Sequence, residues 1–131
     1  ILASVPEDLL RPPVNVLRVS LHPRGLAPMI VNLAEWRAHI VERLNRQYRQ
    51  SDDPAIRDLI DEIRSYPASG PARTTAAGLV AVPLRLRQGG RVLNFLSTTT
   101  VFGTAAEITL SELVIEAFFP ADEETRAALA P

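Results

Sequence analysis

A chain of 131 residues is long enough for one domain around a single core. A formal net charge of −1, with 22% charged residues, excludes the basic excess of a nucleic-acid-binding module or a membrane-surface helix. There is no cysteine, which excludes disulfides, thiolate nucleophiles and cysteine-ligated metals and fits a cytoplasmic setting. No apolar run approaches the roughly 20 residues needed to cross a bilayer.

In chain order, residues 1–13 read as a linker to a domain upstream, because the chain starts at Ile1 without a signal-peptide pattern. Within this linker, Ser4-Val5-Pro6-Glu7 has cap spacing for a short helix that Arg11-Pro12-Pro13 stops. The domain proper is expected over 14–131. Val14 to Leu21 is rich in Val and Leu, and His22-Pro23-Arg24-Gly25 supplies turn residues before the apolar run Leu26 to Val31. Those two runs are predicted to form a β-hairpin.

Asn32 then joins extended chain to helix. Its side chain can accept orphan N–H groups of the first helical turn while Glu35, three residues on, reaches back in a capping box. From Asn32 to Tyr48 the residues Leu33, Trp36, Ile40, Leu44 and Tyr48 recur every three or four positions and define one buried stripe. Asp53-Pro54 starts a second helix with a cap and a proline, and Ile56, Leu59, Ile60 and Ile63 make its inner face. Tyr66 to Ala77 is expected to be a loop and the segment that moves most.

The second half changes to a period of two. Val80, Val82, Leu84 and Leu86 alternate up to Gln88-Gly89-Gly90, where paired glycines permit the positive φ angles of a tight hairpin turn. Leu93, Phe95 and Val101 are assigned to one face of the return strand and Asn94, Thr98 and Thr100 to the other. Gly103 to Ala106 reverses the chain. On the last strand Leu113, Ile115, Ala117 and Phe119 are assigned inward, and Glu112 and Glu116 outward. Pro120-Ala121-Asp122 ends that strand and caps a helix running through Leu129. The pattern predicts an α+β fold, a five-stranded antiparallel sheet with helices packed on one face.

The runs Pro13-Val14-Asn15-Val16-Leu17-Arg18, Leu21-His22-Pro23 with Gly25, Asn32-Leu33-Ala34-Glu35-Trp36-Arg37, and Leu110-Ser111-Glu112-Leu113 with Phe118-Phe119-Pro120-Ala121-Asp122 resemble the ligand-binding domain of MmyB-like transcription regulators. The resemblance covers nearly the whole chain and is distributed, so it speaks more firmly about fold than about single sites. It implies a PAS-like fold, a helix-turn-helix domain of the XRE class upstream, and DNA affinity set by a small, largely apolar effector of the fatty-acid type. A homodimer is expected, and DNA contact is expected only through the upstream domain.

A pocket is also plausible from the residues themselves. Helices crossing a curved sheet leave a wedge that large side chains or a guest must fill, and the chain has only one Trp, two Tyr and four Phe. The alternative is that Leu, Ile and Val fill the wedge. Arg37 falls about 40° from the centre of the Leu33, Ile40, Leu44 stripe. Its guanidinium there can pair with a carboxylate head group while a tail lies among Trp36, Ile40, Leu44, Phe95, Leu113 and Ile115. Alternatively its stem covers the core edge and its charge snorkels to water.

Other constellations are weaker. His22 in a turn and His39 on the polar side of its helix have no metal-ligand spacing, so no metal or cofactor is expected and both rings are expected to be solvated. Glu112 and Glu116 lie about 13 Å apart along a strand, the usual pattern of a solvent face rather than an acid–base pair. No nucleophile elbow or phosphate loop is present, so an enzyme is not expected. Asp53, Asp58, Asp61 and Glu62 give the second helix the wrong sign for reading DNA, and Arg43, Arg46 and Arg49 read as a solvated face. Beside the sensor reading stands a ligand-free dimerisation module.

Overall fold

A computed structural model describes residues 5–10, 16–68, 82–101 and 114–131. Helix α1 spans Glu7–Leu10, α2 Val16–Leu21, α3 Leu33–Ser51 and α4 Pro54–Ser65. Strands β1 (Leu84–Gln88), β2 (Arg91–Val101) and β3 (Val114–Pro120) follow, and α5 (Glu123–Leu129) ends the chain. Among the described residues the sheet has three antiparallel strands in the order β1-β2-β3. The expectations for Val80, for the turn over Gly103–Ala106, and for Glu112 and Leu113 lie outside the described residues, as does the loop beyond Ala68.

The predicted hairpin over Val14–Leu21 and Leu26–Val31 is corrected. Its first run forms helix α2, burying Val19, Ser20 and Leu21, with Arg18 paired to Glu62 of α4. A short Val/Leu run carries no decisive period, and packing overrides its strand propensity. The chain then doubles back on the helix end: Gly25 N–H donates to the His22 carbonyl at 2.8 Å and Leu26 N–H to the Val19 carbonyl at 2.9 Å. Residues Ala27–Met29 make a single 3-10 turn with Pro28 inside it. Only Ile30 retains a β-bridge, to Leu86, and Val31 N–H donates to the Arg85 carbonyl at 2.8 Å.

Asn32 stands at the N-cap of α3, yet its side chain makes no cap bond. Its Oδ1 accepts from Arg85 N–H at 3.2 Å, and its Nδ2 donates to the Pro83 carbonyl at 2.8 Å and to Glu35 Oε1 at 3.2 Å. The capping box gives way to a cross-link, because the Ile30 bridge brings the start of β1 beside the helix, where its backbone groups need partners. At the other end, Asp52 takes a left-handed φ of 54° and Asp53 caps α4 by accepting Ala55 N–H at 2.9 Å. Two residues thus reverse the chain, and α4 packs back on α3 with Ile60 and Ile63 buried and Ile56 and Leu59 partly so.

Gly89 and Gly90 adopt φ of 57° and 78° between the paired residues Gln88 and Arg91. Two positive φ angles in a two-residue loop are the type I′ signature. Leu93 and Phe95 face the core as expected. The face assignment on β3 is reversed at Ala117 and Phe119. Register pairs Leu96 with Phe119, Ser97 with Phe118 and Thr98 with Ala117. Directly paired residues share a face, so Phe119 lies opposite Leu93 and Phe95 and is 53% exposed. The tandem Phe118-Phe119 left alternation unable to say which ring points inward, and a one-residue shift exchanges the faces.

The core is one cluster in which Trp36, Ile40 and Leu44 of α3 meet Ile60 and Ile63 of α4, Leu84 and Leu86 of β1, and Leu93 and Phe95 of β2, with Leu21 and Ile30 beside them. Helix α5 is held against β2 by Thr125, which is fully buried. Its Oγ1 accepts Asn94 N–H at 2.9 Å, while Asn94 O accepts Ala121 N–H at 2.8 Å. Asp122 caps the helix through Thr125 N–H and takes a bond from Asn94 Nδ2 at 2.6 Å. Those hydrogen bonds hold the Asp122 carboxyl below the usual carboxylate range. Thr125→Val keeps the shape but strands the Asn94 N–H, so urea denaturation is expected to show a loss of about 1–3 kcal/mol, with Thr125→Ser far closer to the parent. Equal losses for the two variants would show that the hydroxyl is not the cause.

Candidate functional site

The turn after α2 and the end of α4 face each other across an open, mainly apolar cleft of about 450 Å³ lined by Pro23, Ala27, Pro28, Leu33, Pro67 and Ala68. That volume is in the range of small-molecule pockets, roughly 300–1,000 Å³. Its two walls have a common local cause. Proline blocks regular structure in both connections, and the tight Gly25 turn sets the first wall against the start of α3.

Polar contacts fasten the walls. Arg18 Nε donates to Glu62 Oε2 at 2.6 Å, joining α2 to α4, and the Tyr66 hydroxyl donates to the same oxygen. The His22 ring meets the Tyr66 ring edge-on at 5.1 Å, and His22 Nδ1 accepts Arg24 N–H at 3.0 Å. Arg37 donates from Nη1 to the Tyr66 carbonyl, tying α3 to the same corner. The solvated His22 expected from sequence is therefore a half-buried ring with partners. His39 is likewise half-buried, its ring 5.5 Å from that of Trp36.

The Arg18 hydrogen bond holds the Glu62 carboxyl below its ordinary 4.5, with the Tyr66 hydroxyl and the Arg18 charge acting the same way. Burial first, then the bond to Glu62, pushes the Tyr66 phenol up to about 12. A carboxyl depressed in the folded state contributes stability that is present above 4.5 and lost as pH falls through the folded value. A phenol raised from 10.0 contributes stability that is present below 10.0 and lost as pH climbs towards 12. Stability of the parent is expected to decline on both flanks. Glu62→Gln should flatten the acid flank and Tyr66→Phe the alkaline one, as read by urea midpoints across pH. Unchanged flanks in both variants would overturn this assignment.

Of the residues expected to line a ligand, the structure brings Trp36, Ile40, Leu44 and Phe95 together, but as core neighbours packed between α3 and the sheet. Arg37 stands apart from them, half-buried beside the cleft. Leu113 lies outside the described residues, and Ile115 is placed only by register, opposite Thr100. Sequence pattern does not disclose the cleft residues, because proline and alanine in a connection carry no periodicity that marks a wall. The signal available was proline in both connections flanking the helix pair, at Pro23, Pro28 and Pro67.

Among the described residues no group of His, Asp and Glu is arranged to hold a metal ion. None of the helices there is long and apolar enough to cross a membrane.

Comparison with curated proteins and with solved structures finds no match. One family model matches, and it spans residues 1–131. A whole-chain match of that kind, over a fold with an open apolar cleft, places the chain in the family of MmyB-like transcription regulator ligand binding domains.

Proposed function

We propose that the chain senses an effector for a bacterial regulator of the XRE class, binding a small apolar acid of the fatty-acid type and passing its occupancy to a helix-turn-helix domain upstream. The observation that carries this reading is the 450 Å³ cleft, whose lining is apolar, in a domain of a ligand-binding family. Its walls are the connections that follow α2 and α4, together with Leu33 at the start of α3, so a guest there lies next to the His22–Tyr66 contact that joins those connections. Helix α2 also leads back to the N-terminal segment, where Val5 is buried and Asp8 pairs with Arg24 at 2.8 Å. Occupancy then biases the position of α2, and with it the geometry of whatever precedes it. Allostery of this kind requires only that the ligand bind one arrangement better than the other.

The test is native mass spectrometry after gentle purification, followed by thermal shifts against a panel of fatty acids. A retained or exchangeable lipid, with stabilisation that grows with ligand concentration, supports sensing. An empty chain with no shift anywhere in the panel refutes it.

A second reading, assembly without ligand, is favoured by one observation. Leu96 and Phe119 form an exposed cross-strand pair on one face, and β3 is an outer strand of the sheet among the described residues. Apolar exposure of this kind marks contact surfaces. Light scattering that finds a dimer which Phe119→Asp splits, together with an inert ligand panel, would select this reading over the first.

A further inference from the structure

The near-neutral net charge conceals a division along the chain. Between Glu62 and Glu107 stand five arginines, Arg64, Arg73, Arg85, Arg87 and Arg91, and no carboxylate, so the formal −1 is +5 on this stretch against −6 on the rest. The fold gathers three of the five on the β1–β2 hairpin. Leu84 and Leu86 are buried, so alternation turns Arg85 and Arg87 to the opposite face, and Arg91 stands across from Gln88 beside the turn. All three are exposed. Arg85 Nε donates to Asn94 Oδ1 at 3.2 Å, a neutral partner. Arg18, Arg24 and Arg126 are paired with carboxylates, whereas Arg87 and Arg91 have none within ion-pair distance among the described residues. The turn between them stands clear, since a Cβ at Gly89 or Gly90 would meet nothing within 4 Å.

We propose that this hairpin is an accessory contact for the phosphate backbone of duplex DNA, made by Arg85, Arg87 and Arg91. It rests on the charge of the hairpin and on membership of a transcription-regulator family, and it is independent of what fills the cleft. Guanidinium forks match phosphate oxygens bidentately, and a two-stranded ribbon fits the major groove of B-DNA. Glycines at the tip let the backbone come close without a side chain in the way. Leu84, Leu86 and Leu93 root the ribbon in the core, and the acidic remainder of the chain is repelled by DNA, so the hairpin is the part that approaches. Other anionic partners fit less well. The tip Arg87-Gln88-Gly89-Gly90-Arg91 has no apolar or aromatic side chain, so it offers neither a wedge for a bilayer nor the buried anchor on which a protein interface is centred. Contacts of this kind position a protein on the duplex without reading its sequence.

The experiment titrates a fluorescently labelled duplex of mixed sequence, about 30 base pairs long, with this chain and follows anisotropy between about 20 and 150 mM salt. Three phosphate contacts predict weak, saturable binding whose logarithm falls with the logarithm of salt at a slope of about −2.7. Arg87→Gln and Arg91→Gln should each reduce that slope by about one and weaken binding about three- to tenfold at the lowest salt, whereas Arg87→Lys keeps the slope. The double variant Arg46→Gln with Arg49→Gln, which removes two exposed cations of α3, should change affinity by no more than about twofold. In the unaltered chain, the amide signals of Gly89 and Gly90 should shift on adding duplex, which locates the contact without any substitution. Amide shifts confined to other elements, or an equal loss from the α3 double variant, would overturn the hairpin assignment. A duplex that does not bind at about 20 mM salt would overturn the proposal outright, with binding to poly-glutamate or to phosphatidylserine vesicles in its place assigning the hairpin to an acidic protein or a membrane surface.

Discussion

Trp36→Ala is expected to lower the unfolding free energy by about 3–5 kcal/mol, a large fraction of the roughly 5–15 kcal/mol typical of a native domain. The indole is 1% exposed and sits in the cluster that joins α3 to the rest of the core. Deleting it removes its transfer free energy and leaves a cavity that neighbours on rigid elements cannot collapse into. The indole Nε1 is itself buried without a hydrogen-bond partner among the described residues. An orphan donor of that kind costs roughly 1–3 kcal/mol. Trp36→Phe, which gives up ring area but also removes the orphan N–H, should therefore lose clearly less than Trp36→Ala, about 2 kcal/mol or under. Urea denaturation followed by circular dichroism compares the three chains, since the variants lose the single tryptophan that fluorescence would report. A phenylalanine variant as unstable as the alanine variant would show that the N–H is satisfied and the stability lies wholly in indole packing.

Gly25→Ala is the second large effect, for a different reason. A Cβ at position 25 would stand 2.0 Å from the Val19 carbonyl oxygen and 3.0 Å from its carbon. Both are backbone atoms, so no side chain can swing away, and the Val19 carbonyl is already holding Leu26 N–H at 2.9 Å. The methyl must pry the turn off the end of α2, at a cost of about 3 kcal/mol or more. Gly89→Ala provides the contrast. Its φ is 57°, but nothing lies within 4 Å of the added Cβ, so it should pay only the left-handed penalty, about 1–2 kcal/mol. Thermal melts of both variants check the ordering. The cleft should also report the difference, because Pro23, Ala27 and Pro28 are positioned by the turn that Gly25 closes. If Gly25→Ala melts with the parent, the close approach at Val19 is not a constraint and the account of this turn fails.

The stripe of Leu33, Trp36, Ile40, Leu44 and Tyr48, the Asp53-Pro54 start of α4, the Gly89-Gly90 hairpin and the Asp122 cap of α5 were all legible, because each is a local rule read within a few residues. What misled were apolar runs whose period is too short or too ambiguous to read. Val14 to Leu21 reads as a strand, but Val16–Leu21 is a helix because burial of Val19 and Leu21 against the core overrides that propensity, with Arg18 tied to Glu62, forty-four residues away. Phe118-Phe119 left two choices of face, and the register with Leu96 and Ser97 made the choice.

The site divided in the same way. Periodicity placed Arg37 at the margin of the helix stripe, and that is where it lies, half-buried beside the cleft. The cleft itself was invisible, because Pro23, Pro28 and Pro67 come from two connections that meet only when α4 folds back on α3 and α2 docks against it.

The amino-acid sequence alone determined the helix pair, the glycine hairpin, the terminal cap and the family to which the chain belongs, since each depends on residue identities at short spacing or on the distributed pattern as a whole. Tertiary structure alone decided that α2 is a helix, that Asn32 clasps β1 instead of capping α3, which face of β3 is inward, and where an apolar hollow remains. Those outcomes depend on partners remote along the chain, whose free energies of contact exceed the fractions of a kcal/mol by which local propensity distinguishes one conformation from another.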